Sequence, residues 1–174
     1  MPLAASAPAF GAATRAVNLS LTGGSTWTGD FGSATGFALQ GTFADAGGTG
    51  SRLHSGSYSG TLTAGAYGAP DSCPDFSPNS FNAAPVSGTI DLVLKNGTIT
   101  TEVEPGGMLC NSFLGAHIQE SAFFLTLQIT GGTKAYAGAT GTLSLSYDSE
   151  LTFFTGNPDG PLQDFVTLTG TISR

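Results

Sequence analysis

The chain has 174 residues, enough for one domain with a sizeable hydrophobic core. Twelve acidic and five basic residues give a formal net charge of −7, which excludes a protein built to neutralise nucleic-acid phosphates. Only 10% of the residues are charged and 26 are glycine, a composition typical of a folded, β-rich chain with many turns, and we predict no membrane span.

The N-terminal segment, residues 1–15, is rich in alanine and contains the small-residue pattern Ala7-Pro8-Ala9 that is typical of signal-peptide cleavage sites. It lacks the basic region and the long apolar run of a complete signal peptide. We therefore interpret it as a signal-peptide remnant or a flexible leader, followed by a single β-domain over residues 16–174. With two cysteines and few lysines, this predicts a secreted, extracellular protein.

Short runs of alternating apolar and polar residues recur along the chain and predict strands, whereas no segment has convincing helical periodicity. The predicted strands are Ala16–Thr22, Thr35–Phe43, Arg52–Thr63, Val86–Lys95, Thr98–Glu104, Ser121–Thr130, Thr140–Asp148, Leu151–Thr155 and Asp164–Ser173. Eight or nine strands of this length in one domain predict an all-β fold, either a closed barrel or a sandwich.

The third predicted strand carries candidate pocket residues. His54 and Tyr58 share one face with Leu62, and we expect this face to point inward. A histidine and a tyrosine four residues apart could exchange protons with a bound substrate. Arg52 has the same parity and could anchor an anionic group. The alternatives are a satisfied core histidine beside a packing tyrosine, and a surface position for Arg52.

Two segments rich in sequence breakers, residues 66–86 and 104–120, predict long loops. Each contains one of the two cysteines, Cys73 and Cys110. Neither cysteine lies in a Cys-x-x-Cys or Cys/His spacing, so we predict no metal site. We expect a disulfide that joins the two loops over one end of the fold; two buried free thiols are the alternative.

The sequence Asn96-Gly97 between two alternating strands predicts a type I′ hairpin turn. A two-residue turn places Lys95 opposite Thr98 and Asp91 opposite Glu102. We expect the two carboxylates to be solvated, with a bound cation or an acid/base pair as the alternative. The same register predicts one core face, formed by Ile90, Leu92, Leu94, Ile99 and Val103.

The glycine-rich stretch ITGGTKAYAGATG, residues 129–141, lacks both the P-loop spacing and a following helix, which excludes nucleotide binding. We interpret it as a turn between two strands, with Tyr136 as an aromatic plug. Gly-Thr pairs also recur along the chain and predict bends or close backbone approaches in a curved sheet. They lie at Gly41-Thr42, Gly60-Thr61, Gly88-Thr89, Gly141-Thr142 and Gly170-Thr171.

This stretch resembles the signature of the allene oxide cyclase and dirigent-like β-barrels, in which a Gly-Gly-Thr-Gly turn, an aromatic residue and a Gly-Ala-x-Gly segment link two late strands. Lys134 stands where the family usually has a glycine. The resemblance implies an antiparallel eight-stranded β-barrel, trimeric in the plant proteins, whose interior takes up a hydrophobic small molecule and controls its cyclisation or coupling without a cofactor. The motif is structural in the family and transfers no catalytic residue. The matching residues are Ile129, Gly131, Gly132, Thr133, Tyr136, Gly138, Ala139 and Gly141.

We therefore predict a secreted β-barrel that binds a small hydrophobic molecule and forms a homo-oligomer, with Arg52, His54 and Tyr58 as candidate pocket residues and no cofactor. The alternative is a non-catalytic extracellular structural or self-assembling surface protein, which weakly charged β-surfaces favour. A cavity of about 300 Å³ or more beside His54 and Tyr58 would favour the first function. A core filled with apolar side chains would disfavour the small-molecule-binding function; these would be Phe123, Leu125, Leu127, Leu143 and Leu145.

Overall fold

A computed structural model describes residues 13–28, 37–48, 53, 55–68, 73, 81–114, 117–150 and 162–174. These residues form one antiparallel sheet of nine strands and a single 3-10 helix, so the all-β prediction is confirmed. The strands are β1 (Thr14–Thr28), β2 (Phe37–Gly48), β3 (Ser55–Ala64), β4 (Phe81–Leu94), β5 (Gly97–Val103), β6 (Met108–Leu114), β7 (His117–Gly132), β8 (Thr140–Glu150) and β9 (Leu162–Ser173). The described part of the chain has no helix long and apolar enough to cross a membrane.

Eight of the nine predicted strands overlap an observed strand, and the ninth, Leu151–Thr155, lies outside the described residues. The predicted loop over residues 104–120 is wrong, because it contains β6 and the start of β7. Both faces of β6 are covered: Leu109 and Asn111 are buried on one side, and Cys110 on the other. A strand that is buried on both faces has no polar alternation, which explains why the sequence pattern missed it.

The strand order is β3-β2-β1-β9-β8-β7-β5-β4-β6, with further pairings between β3 and β4 and between β7 and β6. β5 and β6 pair in succession with the two halves of β4 and of β7, so both lie between these two long strands. Every described strand therefore has a hydrogen-bonded neighbour on each side. No described strand presents an open edge to another chain.

Pro85 lies inside β4, although the surrounding segment was predicted as a loop up to residue 86. At Pro85 the strand that pairs with β4 changes from β5 to β6, and residues 104–107 connect these two strands. The Val86 amide donates to the Gly107 carbonyl (2.8 Å), and the Pro85 carbonyl accepts from Gly65 on the other side (2.8 Å). Because proline lacks an N–H, an interruption in the facing strand is a place where a sheet tolerates it.

The hydrophobic core covers one face of the sheet, called the core face below. Every second residue of a strand points into this core. In β5, for example, buried residues alternate with partly buried or exposed ones. The predicted core residues of the β4–β5 hairpin are all buried, which confirms their shared face. The largest fully buried apolar side chains are Phe123, Leu19, Leu53, Leu62, Ile99, Leu109, Leu127 and Leu143.

The predicted register of the β4–β5 hairpin is wrong. Leu94 pairs with Gly97, so the turn residues are Lys95 and Asn96, and Asp91 faces Thr100 and not Glu102. Of Asn96 and Gly97, only the glycine has a positive φ (139°), which rules out the type I′ turn. The register differs from the predicted one by an even number of residues, and therefore every side chain keeps its predicted face.

Contacts with the glycine-rich segment explain this turn. The Ala135 amide donates to the Asn96 carbonyl (3.1 Å), and the Thr133 amide donates to the Thr98 carbonyl (2.9 Å). A Cβ atom on Gly97 would collide with the Thr133 carbonyl oxygen. The geometry of the turn thus depends on a segment more than thirty residues away in the sequence, whose contacts no local pattern contains.

Within the glycine-rich segment, the 3-10 helix Lys134–Tyr136 places the Tyr136 side chain in the core, which confirms the predicted aromatic plug. The Arg174 guanidinium lies 5.7 Å from the centre of the Tyr136 ring and also donates to the Ala135 carbonyl. Lys134 adopts a left-handed backbone conformation, with φ at 51°. At this position the allene oxide cyclase and dirigent-like barrels, which the segment resembles, usually have glycine. Glycine adopts such a φ without strain.

Four of the five Gly-Thr pairs bring neighbouring strands into close backbone contact, as the sequence predicted. Thr142 of β8 pairs with Thr171 of β9, and the glycines that precede them, Gly141 and Gly170, have φ values of 133° and 142°. A Cβ on Gly141 would collide with the Thr171 carbonyl, and a Cβ on Gly170 with that of Thr142. Gly60 of β3 and Gly88 of β4 each lie similarly close to the backbone of the other strand.

Cys73 and Cys110 form a disulfide, as predicted, with their Cα atoms 5.9 Å apart. Both cysteines are buried together with Ala122, and Ala83 and Phe124 pack against this group. The disulfide cluster lies on the opposite side of the sheet from the core face, because Cys110 and Ala122 alternate with core residues of β6 and β7. The bond does not join two loops, since Cys110 lies within a strand.

Candidate functional site

Tyr58, one of the three candidate pocket residues, lies in β3 and belongs to the buried core. Leu62 is buried on the same face, while Ser59 and Thr61 are exposed on the other, in agreement with the predicted alternation. Arg52 and His54 lie outside the described residues. The site formed by Arg52, His54 and Tyr58 therefore stays a prediction.

The packing around Tyr58 weighs against a cavity at that place. The cluster that contains Tyr58 also contains Leu92, its direct partner on β4. Four of the five residues that would fill the interior are buried in this cluster, and the fifth packs against it. They are Phe123, Leu125, Leu127 and Leu143, followed by Leu145.

A chain of polar side chains lies at a different place on the core face. Ser121 donates from Oγ to Oδ1 of Asn111 (2.7 Å), and Asn111 donates from Nδ2 to the Tyr67 hydroxyl. Asn111 is 0% exposed and Ser121 is 3% exposed. These three side chains, called the polar chain below, are surrounded by a core that is otherwise mostly apolar.

Three separate elements position the polar chain. Asn111 of β6 pairs directly with Ser121 of β7, so both side chains point to the same face. Tyr67 lies in the segment that follows β3. The Gly65 and Gly68 amides of this segment donate hydrogen bonds to the Pro85 and Ala83 carbonyls of β4 (2.8 and 2.7 Å). Tyr67 comes nine residues after Tyr58, about 30 Å along an extended chain, so the two tyrosines mark different ends of the sheet.

Burial raises the pKa of Tyr67 from its ordinary value of 10.0 to about 12, although the hydrogen bond to Asn111 lowers it. The phenol is therefore protonated at neutral pH, and the amide and the hydroxyl beside it carry no charge. Such groups can orient a ligand through hydrogen bonds, but they are poor acids and bases at pH 7. The polar chain is thus suited to binding and positioning.

Sequence reasoning did not single out Tyr67, Asn111 or Ser121. Asn111 falls in the run that was predicted as a loop, where the consecutive apolar residues Leu109 and Cys110 before it interrupt any alternating pattern. An asparagine beside a serine in such a run gives no sign of burial. Only the pairing of β6 with β7 brings it next to Ser121.

We expect Tyr67→Phe to flatten the dependence of stability on pH in the alkaline range. Folded Tyr67 retains its proton up to about pH 12, whereas the unfolded residue loses it near pH 10.0. Its contribution is therefore fully present below pH 10.0 and is lost as the pH rises towards 12. Urea unfolding at a series of pH values should show a steeper fall in the free energy of unfolding for the wild type than for the variant. Parallel curves would contradict the assignment.

Among the described residues, no group of three or more histidine, cysteine, aspartate or glutamate residues lies close enough together to hold a metal ion. In particular, the predicted opposition of Asp91 and Glu102 is replaced by the pairs Asp91–Thr100 and Thr89–Glu102. The two carboxylates are therefore diagonal neighbours and not direct partners.

The fold and the polar chain define an antiparallel all-β protein with one disulfide and a buried, uncharged hydrogen-bonding cluster. No family model matches the chain, and no curated protein matches it. The resemblance to the allene oxide cyclase and dirigent-like barrels rests on a local match at residues 129–147.

Proposed function

We propose that the protein is a secreted β-barrel that binds a small hydrophobic molecule in its interior, at the end where the polar chain lies. Closure into a barrel with eight strand positions is supported by the pairing of β3 with β4 and by β5 and β6 sharing the place between β4 and β7. A sheet without open edges is what closure requires.

The buried polar chain carries the proposal for ligand binding. Pockets for small hydrophobic molecules combine an apolar lining with a few polar groups that fix the orientation of the ligand. Tyr67, Asn111 and Ser121 provide such groups beside apolar core residues.

A cofactor-independent cyclisation or coupling of the ligand is the finer part of this proposal, and it rests on the family resemblance. The neutral polar chain supports control by shape and orientation and not by proton transfer, because Tyr67 keeps its proton at neutral pH. Secretion is supported by the disulfide, since such bonds persist in oxidising compartments.

Native mass spectrometry of the secreted protein, purified from its source without denaturation, tests the binding function. We expect the wild type to retain a lipophilic molecule, and Tyr67→Phe and Asn111→Leu to lose most of it. Tyr58→Phe is the matched control, because it removes the same hydroxyl at the other end of the sheet and should leave occupancy unchanged. Circular dichroism verifies that each variant is folded.

Two outcomes would contradict the proposed site. Loss of the ligand in Tyr58→Phe alone would move binding to the pocket predicted from Arg52, His54 and Tyr58. An empty wild-type chain in large homo-oligomers would instead favour the second candidate, a non-catalytic extracellular structural or self-assembling protein. That candidate is favoured by the central part of the outer side of β7–β9, where the cross-strand partners Thr126, Ser144 and Thr169 all carry hydroxyl groups.

A further inference from the structure

The side of β7, β8 and β9 that faces away from the core carries a regular arrangement of neutral side chains. The strand register aligns them in two rows of cross-strand partners. The first row is Phe124, Ser146 and Thr167, and the second is Thr126, Ser144 and Thr169. None of the six carries a charge, although the chain as a whole has a net charge of −7.

A groove of about 320 Å³ is lined by these two rows. Its lining includes Gly106 from the connection between β5 and β6, where the position of a Cβ atom is surrounded by open space. The groove crosses three strands, which lie about 4.8 Å apart, a distance comparable with the size of one sugar ring. It therefore has room for a short stretch of an extended chain.

The lining combines one aromatic edge with many hydroxyl groups. Phe124 is half-buried and packs beside the disulfide cluster, so its ring has a firm support. Serine and threonine hydroxyls each donate one hydrogen bond and accept others, which matches a partner that is itself covered with hydroxyl groups. None of the residues that line the groove is charged, so the lining itself offers no counter-ion for an acidic or a basic ligand.

From this arrangement we infer that the groove is a binding site for a neutral glycan chain, with Phe124 packing against a sugar ring and Thr167 and Thr169 hydrogen-bonding its hydroxyl groups. This function lies outside the proposed interior site, because the groove and the polar chain are on opposite faces of the sheet. Either site can exist without the other.

A second copy of the chain is a poorer occupant. A symmetric dimer would place two concave surfaces against each other and leave the groove unfilled. Protein interfaces also bury exposed apolar and aromatic residues at their centre. Among the described residues the exposed large hydrophobic one is Val93 of β4, which does not line this groove.

Affinity electrophoresis in native gels tests the inference. The gels contain arabinoxylan, galactomannan, mixed-linkage β-glucan or hydroxyethyl cellulose, with polygalacturonate as the charged comparison. We expect the wild type to be retarded by at least one neutral polysaccharide and not by polygalacturonate. The double variant Thr167→Val/Thr169→Val keeps the side-chain shape but removes two hydroxyl groups, and should bind at least about ten-fold more weakly.

The matched control is Thr61→Val/Thr63→Val, which removes two exposed hydroxyl groups from β3, away from the groove, and should leave retardation unchanged. Migration of the wild type unaffected by all four neutral polysaccharides would overturn the inference. So would equal weakening in both double variants. A wild-type oligomer that dissociates only in Thr167→Val/Thr169→Val, without retardation by any glycan, would assign the face to a second copy of the chain.

Discussion

The Gly141→Ala variant is expected to lose about 3 kcal/mol or more of unfolding free energy, from backbone strain and steric collision together. Gly141 has a φ of 133°, a region that only glycine occupies readily. A Cβ atom there would also collide with the carbonyl oxygen of Thr171 on β9. This oxygen belongs to the paired strand, so it cannot move without disturbing the β8–β9 ladder. Equilibrium unfolding in guanidinium chloride measures the loss.

Two other glycines of the same segment separate the causes. Gly138 has a φ of 72° but open space around its Cβ position, so Gly138→Ala should cost only the left-handed strain, about 1 kcal/mol. Gly131 has open space and is not among the residues with positive φ, so Gly131→Ala should change stability by less than about 0.5 kcal/mol. Equal costs at all three positions would show that close approach to β9 is not the reason for Gly141.

Removal of the disulfide by the double variant Cys73→Ala/Cys110→Ala is the second large effect that we expect. The bond joins residues 37 positions apart and restricts the unfolded chain accordingly. In the chain-entropy model this loss amounts to about 3–4 kcal/mol of unfolding free energy. For a chain of this length, the melting temperature should fall by roughly 10 °C. Thermal unfolding followed by circular dichroism measures the difference.

A reducing agent supplies the control for this experiment. It should lower the melting temperature of the wild type towards that of the double variant and leave the variant itself unaffected. If the oxidised wild type and the variant melt at the same temperature, the disulfide does not stabilise the fold. Such a result would also show that the fold does not need a disulfide between residue 73 and β6.

The two proposed binding sites make different demands on the same sheet. The interior site depends on a hydrogen-bonded chain in which Asn111 and Ser121 are buried and Tyr67 is half-buried. The outer groove depends on exposed hydroxyl groups that need no burial. Native mass spectrometry with Asn111→Leu and gel retardation with Thr167→Val/Thr169→Val therefore report on each site separately.

The alternation of apolar and polar residues determined much of the fold. Because side chains alternate across a strand, the assignment of Ile90, Leu92 and Ile99 to one buried face was right although the predicted hairpin register was not. The glycine-rich stretch likewise indicated a turn with Tyr136 as its plug, since no helix or phosphate-binding spacing accompanied it. These features depend on local chemistry, which the sequence contains in full.

The tertiary structure alone decided the features that depend on contacts between distant segments. β6 could not be predicted, because the disulfide and the core cover both of its faces and remove the alternation. The register of the β4–β5 turn depends on hydrogen bonds that the Thr133 and Ala135 amides donate to it. Asn111 and Ser121 became partners only when their strands paired. Burial and register are properties of neighbours in space, and these neighbours are fixed by packing of the whole chain.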